Sequence, residues 1–320
     1  MIPISVTSRR RAAVGLAHGK LILMGEHAVV HGYPAVALPF TPVGVQATVE
    51  ITEGPLSVDC KFHQGPIACA PEQVKGLSAS VVETLKRLGS ALEGLTVRIV
   101  STIPAGSGLG SSAAVAVAMV RGLFACHGRE ITHRDLMELT HIAEVHAHGT
   151  PSGIDATAAA AEGPLLFVKG QTPQSLTTGG VFQMVVANSG HAGDTRSAVA
   201  AVRDRLRERP IETKSRLTTL GRLAHETKAA LADGDSVWLG RILDAAQAEL
   251  SALGVSNERL DTLVRAARKA GALGAKLTGA GRGGCMLALA RDGESAEKLA
   301  LELTRAGARA IWRFTFGEEN

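Results

Sequence analysis

The stretch Pro104-Ala105-Gly106-Ser107-Gly108-Leu109-Gly110-Ser111-Ser112 constrains the fold of this chain more than any other. It lies between a β-like segment, Leu95 to Ser101, and an apolar run, Ala113 to Phe124. That order predicts a strand, a glycine loop and a buried helix. Glycines let the backbone bend so that successive N–H groups converge, and a helix beginning near Ser111 adds its partial positive end. Such a loop suits an anion, phosphate above all; the other reading is a merely structural turn capped by serine. Two familiar phosphate loops are excluded, because Ser111 stands where a dinucleotide fingerprint needs glycine and no lysine precedes the serine as a Walker-type loop requires. The adjacent hydroxyls of Ser111 and Ser112 add a ligand type that serves Mg²⁺ in other phosphate sites.

Further polar groups stand out against apolar surroundings. Gly15 to Val30 is nearly continuously apolar, broken by His18, Lys20, Glu26 and His27, and predicts a buried strand followed by a polar loop at His31-Gly32-Tyr33-Pro34. Side chains alternate along a strand, so Lys20 shares a face with Ile22 and Met24. An ammonium held there needs an anionic partner, since an unpaired buried ion costs several kcal/mol; a lysine at a frayed strand start is the alternative. Thr132 to His148 predicts a helix opened by Thr132 and Asp135. Winding it at about 100° per residue puts Leu136, Leu139, Ala143 and Ala147 on one stripe with Glu144 at its margin, a partly buried carboxylate or a solvated flank. Ser152 and Asp155 fit a capping box ahead of an Ala-rich helix, so Asp155 is either a structural or a chemical carboxylate. Together, a hydroxyl at a phosphate loop, two carboxylates and a half-buried lysine are the parts for moving a phosphoryl group. His141, Glu144 and His148 offer a zinc alternative, disfavoured because their spacing spreads the outer pair about 10 Å along the axis and no HExxH is present. The loop Thr278-Gly279-Ala280-Gly281-Arg282-Gly283-Gly284 joins two apolar segments, as a long hairpin turn or a second glycine-lined approach to the anion.

The length of 320 residues suggests about two domains. The first part is β-rich, with a strand at Val43 to Ile51 and a helix at Pro71 to Leu88; the pattern resets near Thr177-Thr178-Gly179-Gly180, giving domains 1–179 and 180–320. The second half reads as strand (Val181 to Asn188), helices (Thr195 to Ala270), two strands (Gly274 to Thr278, Cys285 to Ala290), helix (Ser295 to Ala306) and strand (Arg309 to Phe316). That order suits a split βαβ sandwich, and the whole chain an α+β fold. With 34 basic against 30 acidic residues and 3% aromatics, nucleic acid is not the expected partner, and Arg203, Arg205, Arg207 and Arg209 read as a solvated helix face. Four scattered cysteines, Cys60, Cys69, Cys126 and Cys285, read as reduced thiols in a cytoplasm. Met1 to Thr7 followed by Arg9, Arg10 and Arg11 reverses the charge order of an export signal, and no run reaches the roughly 18 apolar residues of a membrane span.

Three motifs spread over almost the whole chain carry a resemblance: Gly19-Lys20 through Gly25-Glu26-His27-Ala28-Val29-Val30, Pro104 to Ser112, and Lys276-Leu277-Thr278-Gly279-Ala280-Gly281-Arg282-Gly283-Gly284-Cys285. With them the chain resembles the GHMP small-molecule kinases. Gly25 to Gly32 and His148-Gly149-Thr150-Pro151-Ser152-Gly153-Ile154-Asp155 are closer to the mevalonate kinase branch than to galactokinases, homoserine kinases or phosphomevalonate kinases. The resemblance implies a ribosomal-protein-like N-terminal domain, a ferredoxin-like C-terminal domain and transfer of the γ-phosphoryl of ATP to the 5-hydroxyl of mevalonate. Phosphomevalonate or homoserine is the alternative acceptor, and a non-catalytic nucleotide-binding regulator the alternative of another class. It further implies that Pro104, Gly106, Ser107, Gly108, Leu109, Gly110, Ser111 and Ser112 cradle the triphosphate of ATP. Ser112 and Glu144 become Mg²⁺ ligands, Asp155 and Lys20 the catalytic pair beside the hydroxyl, and Glu26, His27, Ser152 and Thr195 substrate-side residues. Neither nucleic acid nor membrane is an implied partner, and a homodimer is compatible with the family. Arg282 departs from the pattern, standing where many relatives have a small residue; it either crowds the loop or adds charge near phosphate.

Overall fold

A computed structural model describes residues 12–149 and 151–317. The arginine cluster at 9–11 and Thr150 lie outside the described residues. In chain order the elements are β1 (Ala12–Met24), β2 (Ala35–Pro55), β3 (Ser57–Cys60), β4 (His63–Pro66), α1 (Glu72–Leu88), β5 (Glu93–Ser101), α2 (Ser111–Cys126), α3 (His133–His148), α4 (Ile154–Ala160), β6 (Leu165–Phe167), β7 (Gln174–Ser175) and β8 (Phe182–Asn188). They continue with α5 (Thr195–Glu208), α6 (Pro210–Ala232), α7 (Ser236–Ala252), α8 (Glu258–Lys269), β9 (Gly274–Thr278), β10 (Cys285–Ala290), α9 (Gly293–Arg305) and β11 (Ala310–Phe316). Short 3₁₀ turns follow β1 and β4. No helix among the described residues is long and apolar enough to cross a membrane.

The chain forms two compact units that do not follow sequence order. The first comprises residues 12–19, Val43–Ile103 and Gly110–Ala160. Here β2 pairs antiparallel with β5, from Val45 opposite Ser101 to Ile51 opposite Leu95, and β5 pairs parallel with β3, which forms a hairpin with β4. The start of β1 alternates exposed and buried residues, as a strand with one wet face does. Behind the sheet, α2 buries residues on all sides, and α3 and α4 pack against it. The start of α3 follows its expected cap: Thr132 Oγ1 accepts the Asp135 N–H (3.1 Å) and donates to Asp135 Oδ2 (2.7 Å). Ser80 Oγ of α1 donates to the Leu139 carbonyl (2.8 Å), tying α1 to α3.

The second unit comprises Lys20–Pro42, Pro104–Leu109 and 161–317. The expected domain boundary at 179/180 falls inside it, where the Gly179 N–H donates to the Leu231 carbonyl (2.8 Å) of α6. Its four-stranded antiparallel sheet has the order β11-β8-β10-β9. Counted within the sheet this is 4-1-3-2, the ferredoxin-like order anticipated for this half, with four helices rather than one between its first two strands. The central strand β10, Cys-Met-Leu-Ala-Leu-Ala, is buried throughout because helices cover one sheet face and aromatic side chains the other. Phe40 meets Trp312 and Phe314 edge to face, and Phe182 stacks on Phe316.

Of the two readings open for Lys20 the buried one holds: it lies in the interior of β1, not at a frayed start, and only 4% of it is exposed. One expectation needs correction: Glu144, expected at the margin of its helix stripe and partly buried, is buried at 4% exposure. Strands β3, β4, β6 and β7 escaped the sequence reading, being two to four residues long and showing no sustained alternation.

The tightest approach in the first unit is Gly15 of β1 against α2, where an added Cβ would stand 2.0 Å from the Ala118 carbonyl oxygen and 2.3 Å from the Gly122 nitrogen. Both neighbours are backbone and cannot swing away. Gly15→Ala is therefore expected to destabilise the protein by about 1–3 kcal/mol or more through overpacking, read as a lower melting temperature; an unchanged melting temperature would remove this account of the strand–helix contact.

Candidate active site

Each unit carries its own set of the expected site residues. On the second unit, the end of β1 is bonded repeatedly to two glycine loops. The Lys20 N–H donates to the Leu109 carbonyl (2.9 Å), setting this lysine beside the loop 104–109. Two residues on, the Ile22 N–H donates to Thr278 Oγ1 (3.1 Å), which in turn donates to the Ile22 carbonyl (3.0 Å). Beyond β1, His27 Nε2 donates to the Ala280 carbonyl (2.9 Å). A carbonyl can only accept, so the proton sits on Nε2 and Nδ1 keeps a lone pair. Burial lowers the His27 pKa to about 4, with the Ala280 contact opposing, so the ring is neutral near neutral pH.

The two loops lie back to back. A Cβ on Gly284, at φ +76°, would stand 2.6 Å from the Ser107 carbonyl oxygen, and one on Gly279 3.2 Å from that of Gly108. The sequence reading left the second loop open between hairpin turn and second approach to the anion; it joins β9 to β10 and also backs the first loop. Gly106 accepts the Gly193 N–H (2.9 Å), which brings the start of α5 to the same loop. There Asp194 caps the helix by accepting from the Arg196 and Ser197 N–H groups (3.0 and 3.2 Å), leaving Thr195 exposed in the first turn. Arg282, exposed and at φ +56°, donates through Nη1 to Ser197 Oγ (3.3 Å), so it turns toward α5 and does not crowd its own loop.

Buried charge gathers in the same unit. Glu26 Oε1 accepts a hydrogen bond from Lys276 Nζ, and neither side chain is more than 1% exposed. Burial raises the Glu26 pKa and lowers that of Lys276, each opposed by the partner's charge, with Lys20 acting on both as a weaker charge through space. Burial also pushes the Cys285 thiol up to about 12 despite Lys20, so it stays protonated. Sequence reasoning assigned no role to Lys276, although its setting in Gly274-Ala275-Lys276-Leu277-Thr278 carries the signal that drew attention to Lys20.

On the first unit, Gly110 stands at the N-cap of α2 in a left-handed conformation (φ 77°, ψ 32°), with Ser111 and Ser112 half-buried in the first turn and no acidic residue there. This helix therefore opens with unfilled N–H groups and the positive end of its dipole, as an anion requires. Asp155 is half-buried in the first turn of α4. The Gly153 carbonyl accepts the Thr157 N–H (3.1 Å), making Gly153 the N-cap, while Ser152 Oγ accepts from the Ile154 N–H (3.4 Å). The expected Ser152–Asp155 capping box is thus out of register by one residue, so Asp155 does not stand at the position such a box requires. Ser112 and Glu144 stand on packed helices and offer a hydroxyl and a carboxylate, hard oxygen donors that suit Mg²⁺, whose remaining ligands are usually phosphate oxygens and water. Among the described residues no group of three His, Cys, Asp or Glu could hold a metal ion by itself; the His148 side chain, part of the zinc alternative, lies outside them.

Known proteins are similar to this chain over most of its length. The profile of the GHMP kinases N terminal domain matches residues 76–163, and that of the GHMP kinases C terminal domain residues 227–309. A mevalonate kinase of Thermococcus onnurineus is 36% identical over 312 residues, covering 91% of this chain and 92% of the relative. One of Aeropyrum pernix is 37% identical over 300 residues, with 89% and 90% covered. The crystal structure of L. major mevalonate kinase in complex with R-mevalonate superposes with a TM-score of 0.83 at 28% identity, covering 99% of each chain. A sequence and backbone shared over nearly the whole length make this chain a member of the GHMP kinases, in their mevalonate kinase branch.

Proposed function

We infer that this chain is an ATP-dependent kinase that transfers the γ-phosphoryl group of ATP to the 5-hydroxyl of mevalonate, a step toward isoprenoid precursors. The observation that carries the reaction type is Lys20, a buried ammonium whose own backbone N–H is bonded to the glycine loop. The acceptor rests on the relatives, which match along nearly the whole chain.

In this reading the backbone N–H groups of residues 106–112 and the start of α2 bind the triphosphate. Ser112 and Glu144 would hold the Mg²⁺ that accompanies it, an ion that would supply positive charge to offset that of the triphosphate. Asp155 takes the proton of the acceptor hydroxyl. Lys20 stabilises the charge that builds on the transferring phosphoryl group. His27, neutral and with Nδ1 as an acceptor, is suited to a substrate hydroxyl; Glu26, Ser152 and the exposed Thr195 complete the substrate side. The family profiles fall on either side of residue 179, which supports domains 1–179 and 180–320 as the family's two halves. The four free cysteines support a reducing, cytoplasmic setting.

Purified protein given ATP, Mg²⁺ and a panel of mevalonate, phosphomevalonate and homoserine should release ADP with mevalonate far above the rest; no release over background with mevalonate sinks the assignment. Asp155→Asn should leave nucleotide binding within about twofold while kcat falls about 10²- to 10⁴-fold, the usual worth of a general base, and unchanged turnover would take Asp155 out of its role. His27 ties stability to pH. Its folded pKa of about 4 lies below the ordinary 6.5, so the stability present above pH 6.5 drains away as pH falls toward 4, by roughly 3 kcal/mol. His27→Asn should melt with a flatter pH dependence across that window, whereas parallel curves would show that His27 is not the group responsible.

A further inference from the structure

Lys276 has no part in the chemistry described so far, yet it is among the largest side chains with no exposed surface. Every residue of β9 is buried, so its ammonium cannot escape to water along the strand. It donates to Glu26 Oε1 and to the Leu277 carbonyl (2.8 Å). The second carboxylate oxygen, Glu26 Oε2, is buried with no hydrogen-bond partner among the described residues. A buried ion pair of this kind is weak evidence for stability, because well-packed apolar residues of the same volume often serve as well or better. Something other than stability accounts for it more readily, and Lys20 supplies the reason. Lys20, Glu26 and Lys276 are all buried, and the bonds between Ile22 and Thr278 set the end of β1, which carries Lys20, beside the end of β9, which carries Lys276. In low dielectric a carboxylate stripped of its partner draws the next nearest cation strongly.

We propose that Lys276 is a positioning residue for phosphoryl transfer: by holding Glu26 in a buried ion pair, it keeps that carboxylate from pulling the Lys20 ammonium away from the transferring phosphoryl group. The proposal rests on the kinase reading above and deepens it. Glu26 then has a charge that is needed but contained by its bond to Lys276. A phosphate-binding lysine must present its charge at a fixed point, and a displacement of about 1 Å can cost about 10²-fold in rate.

The test compares the same substitution in two backgrounds of the full chain. Lys276→Met alone should lower kcat by about 10²-fold while a fluorescent ADP analogue binds within about twofold of wild type. In a Glu26→Gln background no carboxylate remains to be restrained, and adding Lys276→Met should cost less than about threefold in kcat beyond Glu26→Gln itself, a clear departure from additivity. An equal loss in both backgrounds would mean that Lys276 acts independently of Glu26 and would overturn the proposal, as would an unchanged kcat in the single variant. Should Lys276→Met unfold, the charge-neutral Glu26→Gln/Lys276→Met protein still decides, since a fall well beyond threefold relative to Glu26→Gln counts against the idea. All ratios are taken on whichever alcohol the wild-type protein phosphorylates, so failure of mevalonate as substrate and failure of the Lys276 role are read separately.

Discussion

The removal of charge from water is the constraint around which the second unit is arranged. Lys20, Glu26 and Lys276 are each less than 5% exposed, and a buried ion without a partner costs several kcal/mol. The fold meets that cost by bonding the end of β1 to β9 and its loop at Ile22, Glu26 and His27, so that cation and anion arrive at fixed separations. The same bonds hold the Lys20 N–H to the glycine loop. Order in the charges and order in the loop are therefore one property, and a kinase that relies on placement more than on covalent chemistry needs both.

Glycine serves here by the absence of a side chain. Gly284 lets the second loop press against the Ser107 backbone at a distance no Cβ would permit, and Gly279 meets the Gly108 backbone more tightly than most Cβ atoms would. Backing of this kind steadies a loop that glycine would otherwise leave loose. Arg282 shows what happens when a glycine-favoured position carries a side chain: the residue takes φ +56° and its guanidinium leaves the loop for Ser197.

Much of this was legible before any coordinates. The Thr132 cap, the buried helix after the glycine loop and the strand–helix order of the C-terminal half all follow from local pattern, and the 4-1-3-2 sheet from that order. The short strands β3, β4, β6 and β7 were not legible, because two to four residues are too few to show a period. Asp155 and Ser152 looked like a capping box, and only the bond from Thr157 to Gly153 revealed that the helix starts one residue later. The full burial of Glu144 depended on how closely α2 packs on α3, a matter of packing that a helical wheel cannot contain.

Taken alone, the sequence determined the element types, the two glycine loops and the chemical character of the residues flanking them. Those are local quantities, governed by backbone freedom, side-chain periodicity and the cost of burying charge. Tertiary structure alone decided which charge meets which. Glu26 and Lys276 are 250 positions apart, and their pairing arises because β9 lies alongside the end of β1, where Ile22 and Thr278 exchange hydrogen bonds. No local pattern encodes such a meeting, since it depends on the order in which strands assemble and on the exclusion of water that only the assembled unit achieves.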